Sequence, residues 1–156
     1  MHKIVPCLWF DGQAEEALDF YASIFRNSRV FDVMRYGDAG PGPKGSVLAA
    51  SVELDGNEFM ALNGGPMFKP TPAISFFVKC ETQADVDHYW DRLLEGGSPM
   101  QCGWLSDKYG ISWQIVPTAL GQMLRDKDPA KANRVMQAMM KMVKLDLDAL
   151  QRAYEG

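Results

Sequence analysis

Apolar and polar positions alternate along the chain in a pattern that occurs twice. Val5 to Ala22 reads as an apolar strand-like run, a polar break at Asp11-Gly12, and an amphipathic helix. A shift of 68 residues lays this stretch, without a gap, on Ala73 to Trp90, which has the same order of features. Only Asp19/Asp87 and Tyr21/Tyr89 are identical in that superposition. The shared pattern, more than the identities, points to a duplicated strand–helix unit.

Between and after the two copies the pattern predicts further elements. Residues 4–10 form a buried strand, and Ala14, Ala17, Leu18, Tyr21, Ile24 and Phe25 recur at helical spacing with Glu15, Glu16 and Asp19 outside that face. Arg29 to Met34 is rich in Val and Phe and reads as a strand. The Gly- and Pro-rich stretch 37–45 is a loop, of a length that marks it as mobile or functional. Ser46 to Leu54 and Glu58 to Leu62 flank Asp55-Gly56-Asn57 and form a hairpin. The first half is thus strand, helix and three strands.

A proline-bearing connector, 63–72, leads to the second copy. There a strand over 73–78 precedes a helix whose face is Val86, Trp90, Leu93 and Leu94, stopped by Gly96-Gly97. Gln101 to Leu105 and Ile111 to Val116 read as a second hairpin around Asp107-Lys108-Tyr109-Gly110. Fewer residues separate helix from hairpin than in the first half, so one strand is short or missing. Helices follow: Ala119 to Arg125, one opened by Asp128-Pro129, and a last one capped by Asp146 and ending at Tyr154. Val135, Met139, Met142 and Val143, with Met136 and Met140 beside them, form a methionine-rich face. It is read either as a helix packed on the sheet or a second subunit, or as an adaptable binding surface. The organisation is a single α+β domain over 1–156, with repeat units at 3–63 and 73–117 and C-terminal helices at 118–156.

Composition narrows the function classes. With 47% apolar and 23% charged residues the chain is an ordinary globule. A net charge of −4 with 16 basic residues argues against a nucleic-acid partner. No apolar run approaches the roughly 20 residues of a membrane span, and the N-terminus enters a strand, not a signal peptide. Three cysteines, Cys7, Cys80 and Cys102, with no CxxC pair, suggest reduced thiols in the cytoplasm and no structural zinc. Two distant histidines, His2 and His88, argue against a His-based acid–base or triad enzyme.

Trp9-Phe10-Asp11-Gly12-Gln13-Ala14-Glu15-Glu16-Ala17 with Phe20-Tyr21, Leu62-Asn63-Gly64-Gly65-Pro66, and Gln101-Cys102-Gly103-Trp104-Leu105 through Asp107-Lys108-Tyr109-Gly110 to Ser112-Trp113-Gln114 carry a family resemblance. With the tandem βαβββ pattern they resemble the vicinal-oxygen-chelate superfamily (glyoxalase I, bleomycin-resistance proteins, extradiol dioxygenases). They are closest to its PhnB-like branch, often labelled 3-demethylubiquinone-9 3-methyltransferase. The resemblance, over roughly residues 3–145, implies a glyoxalase-like cup of curved sheet and a homodimer. No G-x-G-x-x-G turn for a nucleotide-type methyl donor occurs, so the methyltransferase label has no support in the residues.

The resemblance also implies a divalent metal held by two first-strand and two last-strand positions. They fall on Val5, Ala73, Met60 and Gln114, of which only Gln114 offers an oxygen. A register change of two brings Cys7 and Ser75 instead, still a poor donor set. No cofactor is therefore expected. Cys7, Trp9, Ser75 and Phe77 share the strand face of those positions. With Met60, Trp104, Trp113 and Gln114 they are the candidate lining of an apolar pocket, or else plain core. Cys7 has no nearby base in sequence and reads as a buried inert thiol, and Cys102 is ambiguous. Asn63-Gly64-Gly65-Pro66 is either a pocket mouth or a turn.

The reading is a metal-free binding protein for a small apolar or aromatic ligand. The alternatives are a metal-dependent lyase, isomerase or dioxygenase of the same superfamily, and a subunit acting through its Met-rich helix.

Overall fold

The computed structural model describes residues 2–156. It divides into two compact units, a first ending at Pro70 and a second spanning Thr71–Gly156.

The first unit runs β1 (Cys7–Phe10), α1 (Ala14–Ile24), β2 (Arg29–Arg35), β3 (Val47–Leu54) and β4 (Asn57–Asn63). Its sheet has the order β1-β4-β3-β2, with β1 parallel to β4 and the other pairs antiparallel. Ala14, Ala17, Leu18, Tyr21 and Ile24 are the buried positions of α1. They recur at the helical period, so one stripe packs on the sheet, chiefly on β3. Interior strands are flanked on both edges, and β3 is accordingly buried at six of its eight residues. Its hairpin to β4 closes on Asp55-Gly56, both at positive φ (47° and 79°), the geometry that a two-residue turn between twisted strands requires.

The second unit repeats the plan: β5 (Ser75–Cys80), α2 (Gln83–Leu94), β6 (Ser98–Pro99), β7 (Trp104–Ser106) and β8 (Ser112–Pro117). Its order, β5-β8-β7-β6, is that of the first sheet, again with one parallel pair, β5 with β8. The short strand foreseen between helix and hairpin is β6, two residues long. Thr82 caps α2 through its side chain, which accepts from the Asp85 amide at 3.1 Å. Then come α3 (Thr118–Leu124), α4 (Pro129–Met140, capped by Asp128) and α5 (Leu147–Glu155, capped by Asp146). These helices build a core of Leu120, Met123, Val135, Leu145 and Leu150 on Val116 of β8. Val135 and the half-buried Met139 and Met142 of the methionine stretch serve this core, while Met136 and Met140 are exposed. The architecture is α+β, with tandem βαβββ units of glyoxalase-like plan and two open sheets. No helix among the described residues is long and apolar enough to cross a membrane.

Two sequence registers change. The helix positions that pack on the sheets correspond at 69 residues, not 68: Ala17 with Val86, Tyr21 with Trp90, Ile24 with Leu93. The identical pair Tyr21/Tyr89 is therefore not an equivalent pair, for Tyr21 is buried and Tyr89 only partly so. The hairpins also differ, because β7 and β8 are joined by five residues where β3 and β4 are joined by two. Matching Gly56 to Gly110 therefore misplaces the last strands. Met60 pairs with Cys7, whereas Gln114 pairs with Phe77, so Gln114 corresponds to Leu62 once Cys7 is matched to Ser75.

Candidate functional site

Strand pairing decides which side chains share a surface, since residues in register on neighbouring strands point the same way. In the second unit Ser75 and Phe77 of β5, Gln114 of β8 and Trp104 of β7 fall on one face. Gln114 anchors them, its Nε2 donating to Ser75 Oγ at 2.9 Å. Lys79 follows Phe77 on the same face. The opposite face carries Phe76, Trp113 and Ile115 toward α2.

Trp113 thus does not line a pocket with Gln114. It is 3% exposed, its indole N–H donates to Asp107 Oδ2 at 2.9 Å, and its ring stacks at a tilt on Phe76, 5.3 Å between centroids. Asp107 also accepts from the Tyr109 and Ile111 amides at 2.8 and 3.0 Å. The Asp107-Lys108-Tyr109-Gly110 signature is a buried turn lock that positions β8, not chemistry.

Phe77, Trp104 and Gln114 open into a cavity of about 510 Å³. The sheet is its floor, and α3 with Met139 of α4 supplies a wall that includes Leu120 and Leu124. That wall exists because Pro117 ends β8 and the chain turns at once into α3. Cys102 joins the lining, held in a left-handed conformation (φ 60°) with its amide on the Met142 carbonyl at 2.9 Å. Gly103 beside it (φ 83°) donates to Val143 O at 2.8 Å, and a Cβ there would lie 2.9 Å from Leu145. Close approach therefore requires glycine, and the Gln-Cys-Gly-Trp motif docks the C-terminal helices onto the sheet.

The first-unit candidates form their own set. Cys7 and Met60 are register partners, and Trp9 lies on the same strand face as Cys7, paired with Leu62. Trp9 donates to Gly65 O at 2.9 Å, meets Phe68 edge-on at 4.9 Å, and covers Gly64 so closely that a Cβ would collide with its ring. Asn63 accepts from the Ala14 amide at 2.9 Å and donates to Val47 O at 3.1 Å. It thus caps α1, where Gln13 gives no side-chain cap. Leu-Asn-Gly-Gly-Pro is a structural clasp, the turn reading of that motif. Cys7 is exposed, contrary to the expectation of burial, yet partial burial still raises its pKa, so it is no activated nucleophile. Cys80 is the buried thiol, pushed up to about 11 chiefly by burial.

A second, more open groove of about 920 Å³ lies in the first unit. It is bounded by Asp11, Glu15, Glu16 and Asp19 on one side and Tyr36 with Pro41–Pro43 on the other. The 37–45 loop folds around the Tyr36 ring, where a Cβ at Gly40 would come within 2.5 Å of it. Glu15 is bonded by Arg35 at 2.9 and 3.2 Å.

The superfamily's metal does not fit the residues present. Val5 and Ala73 offer no donor, and the last-strand positions in the observed register, Met60 with Ser112 or Leu62 with Gln114, offer at most one neutral oxygen. No group of three or more His, Cys, Asp or Glu among the described residues is arranged to hold a metal ion.

The sequence family described as 3-demethylubiquinone-9 3-methyltransferase matches residues 2–116. The chain belongs to that family. Among solved structures, a putative 3-demethylubiquinone-9 3-methyltransferase, PhnB protein, from Bacillus cereus is 38% identical with a TM-score of 0.70. That match covers 75% of this chain and all of the other. Two further structures share the fold: PA1353 from Pseudomonas aeruginosa (22% identity, TM-score 0.63, covering 75% and 98%) and the fosfomycin resistance protein FosX from Listeria monocytogenes (13%, 0.54, covering 78% and 97%). No curated protein sequence matches the chain. The family stretch ends at residue 116, so α3 and α4, which wall the second-unit cavity, lie beyond it.

Of the eight pocket candidates read from the sequence, Phe77, Trp104 and Gln114 line this cavity, Ser75 shares their face without lining it, and the wall was missed. Lys79 was legible from strand parity with Phe77, and Leu120 and Leu124 from their spacing of four. What periodicity does not tell is where a short helix lands.

Proposed function

We propose that this family member binds a small, largely apolar or aromatic molecule in the second-unit cavity, without the superfamily's metal. The observation that carries the reading is the convergence of Phe77, Trp104 and Gln114 with Leu120, Leu124 and Met139 around a cavity of about 510 Å³. Apolar walls with a few polar anchors, at that size, are the usual make-up of a small-molecule site. The lining contains no carboxylate and no imidazole, so it offers neither of the commonest general bases. Binding accounts for the lining better than the methyl transfer in the family's description. Neither mixed four-stranded sheet is the parallel sheet with a glycine-rich turn that usually holds a nucleotide-type methyl donor.

The test is calorimetric titration with 2-naphthamide, an uncharged aromatic probe, on the native protein and on Trp104→Ala. Saturable one-to-one binding that weakens at least about tenfold in the variant is expected. Binding unaffected by the substitution overturns the reading. Elemental mass spectrometry after incubation with zinc, manganese, nickel and iron(II) addresses the alternative: one equivalent of bound metal favours a metal-dependent lyase, isomerase or dioxygenase. The same reading includes a homodimer, which sedimentation at micromolar concentration checks, and a reducing, cytoplasmic setting in keeping with three free thiols.

A further inference from the structure

The charge around the second-unit cavity is opposite to that of the chain. The protein carries a net charge of −4, with 20 acidic residues in 156. The cavity lining nevertheless includes Lys79 and Arg125 and not a single Asp or Glu. Among the described residues neither cation enters a salt bridge or a side-chain hydrogen bond, whereas Arg29, Arg35, Lys44, Arg92 and Lys144 all pair with carboxylates. Two cations left unpaired beside one apolar cavity, in an acidic protein, form a local field that favours an anion.

Arg125 is also given room there. Gly121 sits inside α3 without positive φ, so nothing in the backbone demands glycine, and in a helix interior glycine costs about 1 kcal/mol relative to alanine. A Cβ built at Gly121 would lie 3.1 Å from Arg125 Nη1. The guanidinium is thus folded back along α3, close against the face of Gly121 beside the cavity. Lys79 approaches from the floor, next but one to Phe77 on β5 and in register with Val116 of β8. Gln114 and Thr118 add neutral polar groups between them.

We infer that the ligand of this cavity is an amphipathic organic anion. Its apolar or aromatic body lies on Phe77, Trp104, Leu120 and Leu124, and its carboxylate-type group lies between Lys79 and Arg125. This rests on the binding function proposed above and adds the ligand's charge. Arginine offers planar paired donors that suit a carboxylate, and lysine adds a compact second charge. Both residues lie on the second unit: Lys79 on β5 within the stretch that matches the family, Arg125 beyond it at the end of α3.

The decisive experiment compares 2-naphthoate with its nearly isosteric neutral partner 2-naphthamide, by calorimetry at pH 7.5 in low salt and in 0.3 M sodium chloride. The expected result is naphthoate binding about tenfold tighter, with an advantage that shrinks in high salt. Arg125→Gln and Lys79→Gln should each reduce the naphthoate affinity by about threefold or more and leave naphthamide unchanged. Both side chains are exposed, and circular dichroism melting confirms that the variants fold. Equal affinities for the two probes, or variants that weaken both alike, overturn the charge inference. If that happens while Trp104→Ala still weakens binding of both probes at least about tenfold, the cavity reading survives. If neither probe binds, both fall together.

Discussion

The two units share a topology and differ in what each built around it. The first has long strands (four, seven, eight and seven residues in chain order), a helix pinned by Asn63, and a clasp in which Trp9, Gly64, Gly65 and Phe68 close on one another. The second has shrunk two strands to two and three residues, and gains three helices that stand on its sheet. Its aromatic residues Phe77 and Trp104 consequently line a cavity, while the first unit's Trp9 is engaged in the clasp. A duplicated frame does not imply a duplicated site. The proposed site lies where the C-terminal helices leave a sheet face walled and unfilled.

The largest expected effect breaks the likeness of the two hairpins. Asp107→Ala leaves three donors, the Trp113 indole and two amides, without their acceptor in a buried place. It should cost about 3 kcal/mol in urea denaturation. Asn57→Ala in the first hairpin loses only two 3.3 Å bonds and should cost less than about 1 kcal/mol. Equal costs would mean that the turns are held by the same means.

The tryptophans come next. Trp104→Ala should weaken 2-naphthoate binding at least about tenfold, near 1.4 kcal/mol. Trp9→Ala should lower stability through the lost indole bond and the Phe68 contact, yet leave probe affinity unchanged. A loss of affinity in Trp9→Ala would show that the cavity residues alone do not make the site.

A smaller effect concerns the salt bridge that fastens α2 to the segment before α5. Hydrogen bonds from Lys144 and Gln83 hold the Asp87 carboxyl below its ordinary range. Partial burial pulls the Lys144 ammonium down, and Asp87 and Asp91 more than offset it, leaving its pKa above the usual value. A carboxyl with a depressed folded pKa contributes stability above its unfolded value, about 3.9, and loses it as pH falls through the folded one. Lys144→Met should therefore cost under about 1 kcal/mol at pH 7, because both side chains are partly exposed, and the gap from the native protein should close below about pH 4.

The mildest test is chemical. Under native conditions iodoacetamide should label Cys7 while Cys80 stays unmodified until the protein unfolds, as peptide mass spectrometry would show. Labelling of Cys80 at the same rate would mean that the second unit opens as readily as the first unit's exposed edge.

Much of this was written in the chain. Hydrophobic period fixes element type, because a strand or helix must bury one face, and so α1, the β3–β4 hairpin, α2 and the caps Asp128 and Asp146 are legible to within a residue or so. The buried strand expected over 4–10, by contrast, is only Cys7–Phe10 and, as an edge strand, mostly exposed or half-buried. The tandem plan and the family follow from that periodicity and from three short motifs. That Val5 and Ala73 offer no metal donor is read from residue chemistry alone. Strand parity even grouped Ser75 with Phe77 correctly.

Tertiary structure decided the rest. Register across a hairpin depends on turn length, so Gln114 proved two places from where a glycine-to-glycine match put it, and Trp113 went to the core with Asp107. Whether an aromatic residue fills a core or lines a cavity depends on which distant segment covers it. Thr118–Leu124 landed beside Trp104 and Gln114 because Pro117 ends β8 there and Gly103 lets Leu145 approach. Where a short helix lands after a strand, and which remote side chain a glycine admits, are not carried by local propensity.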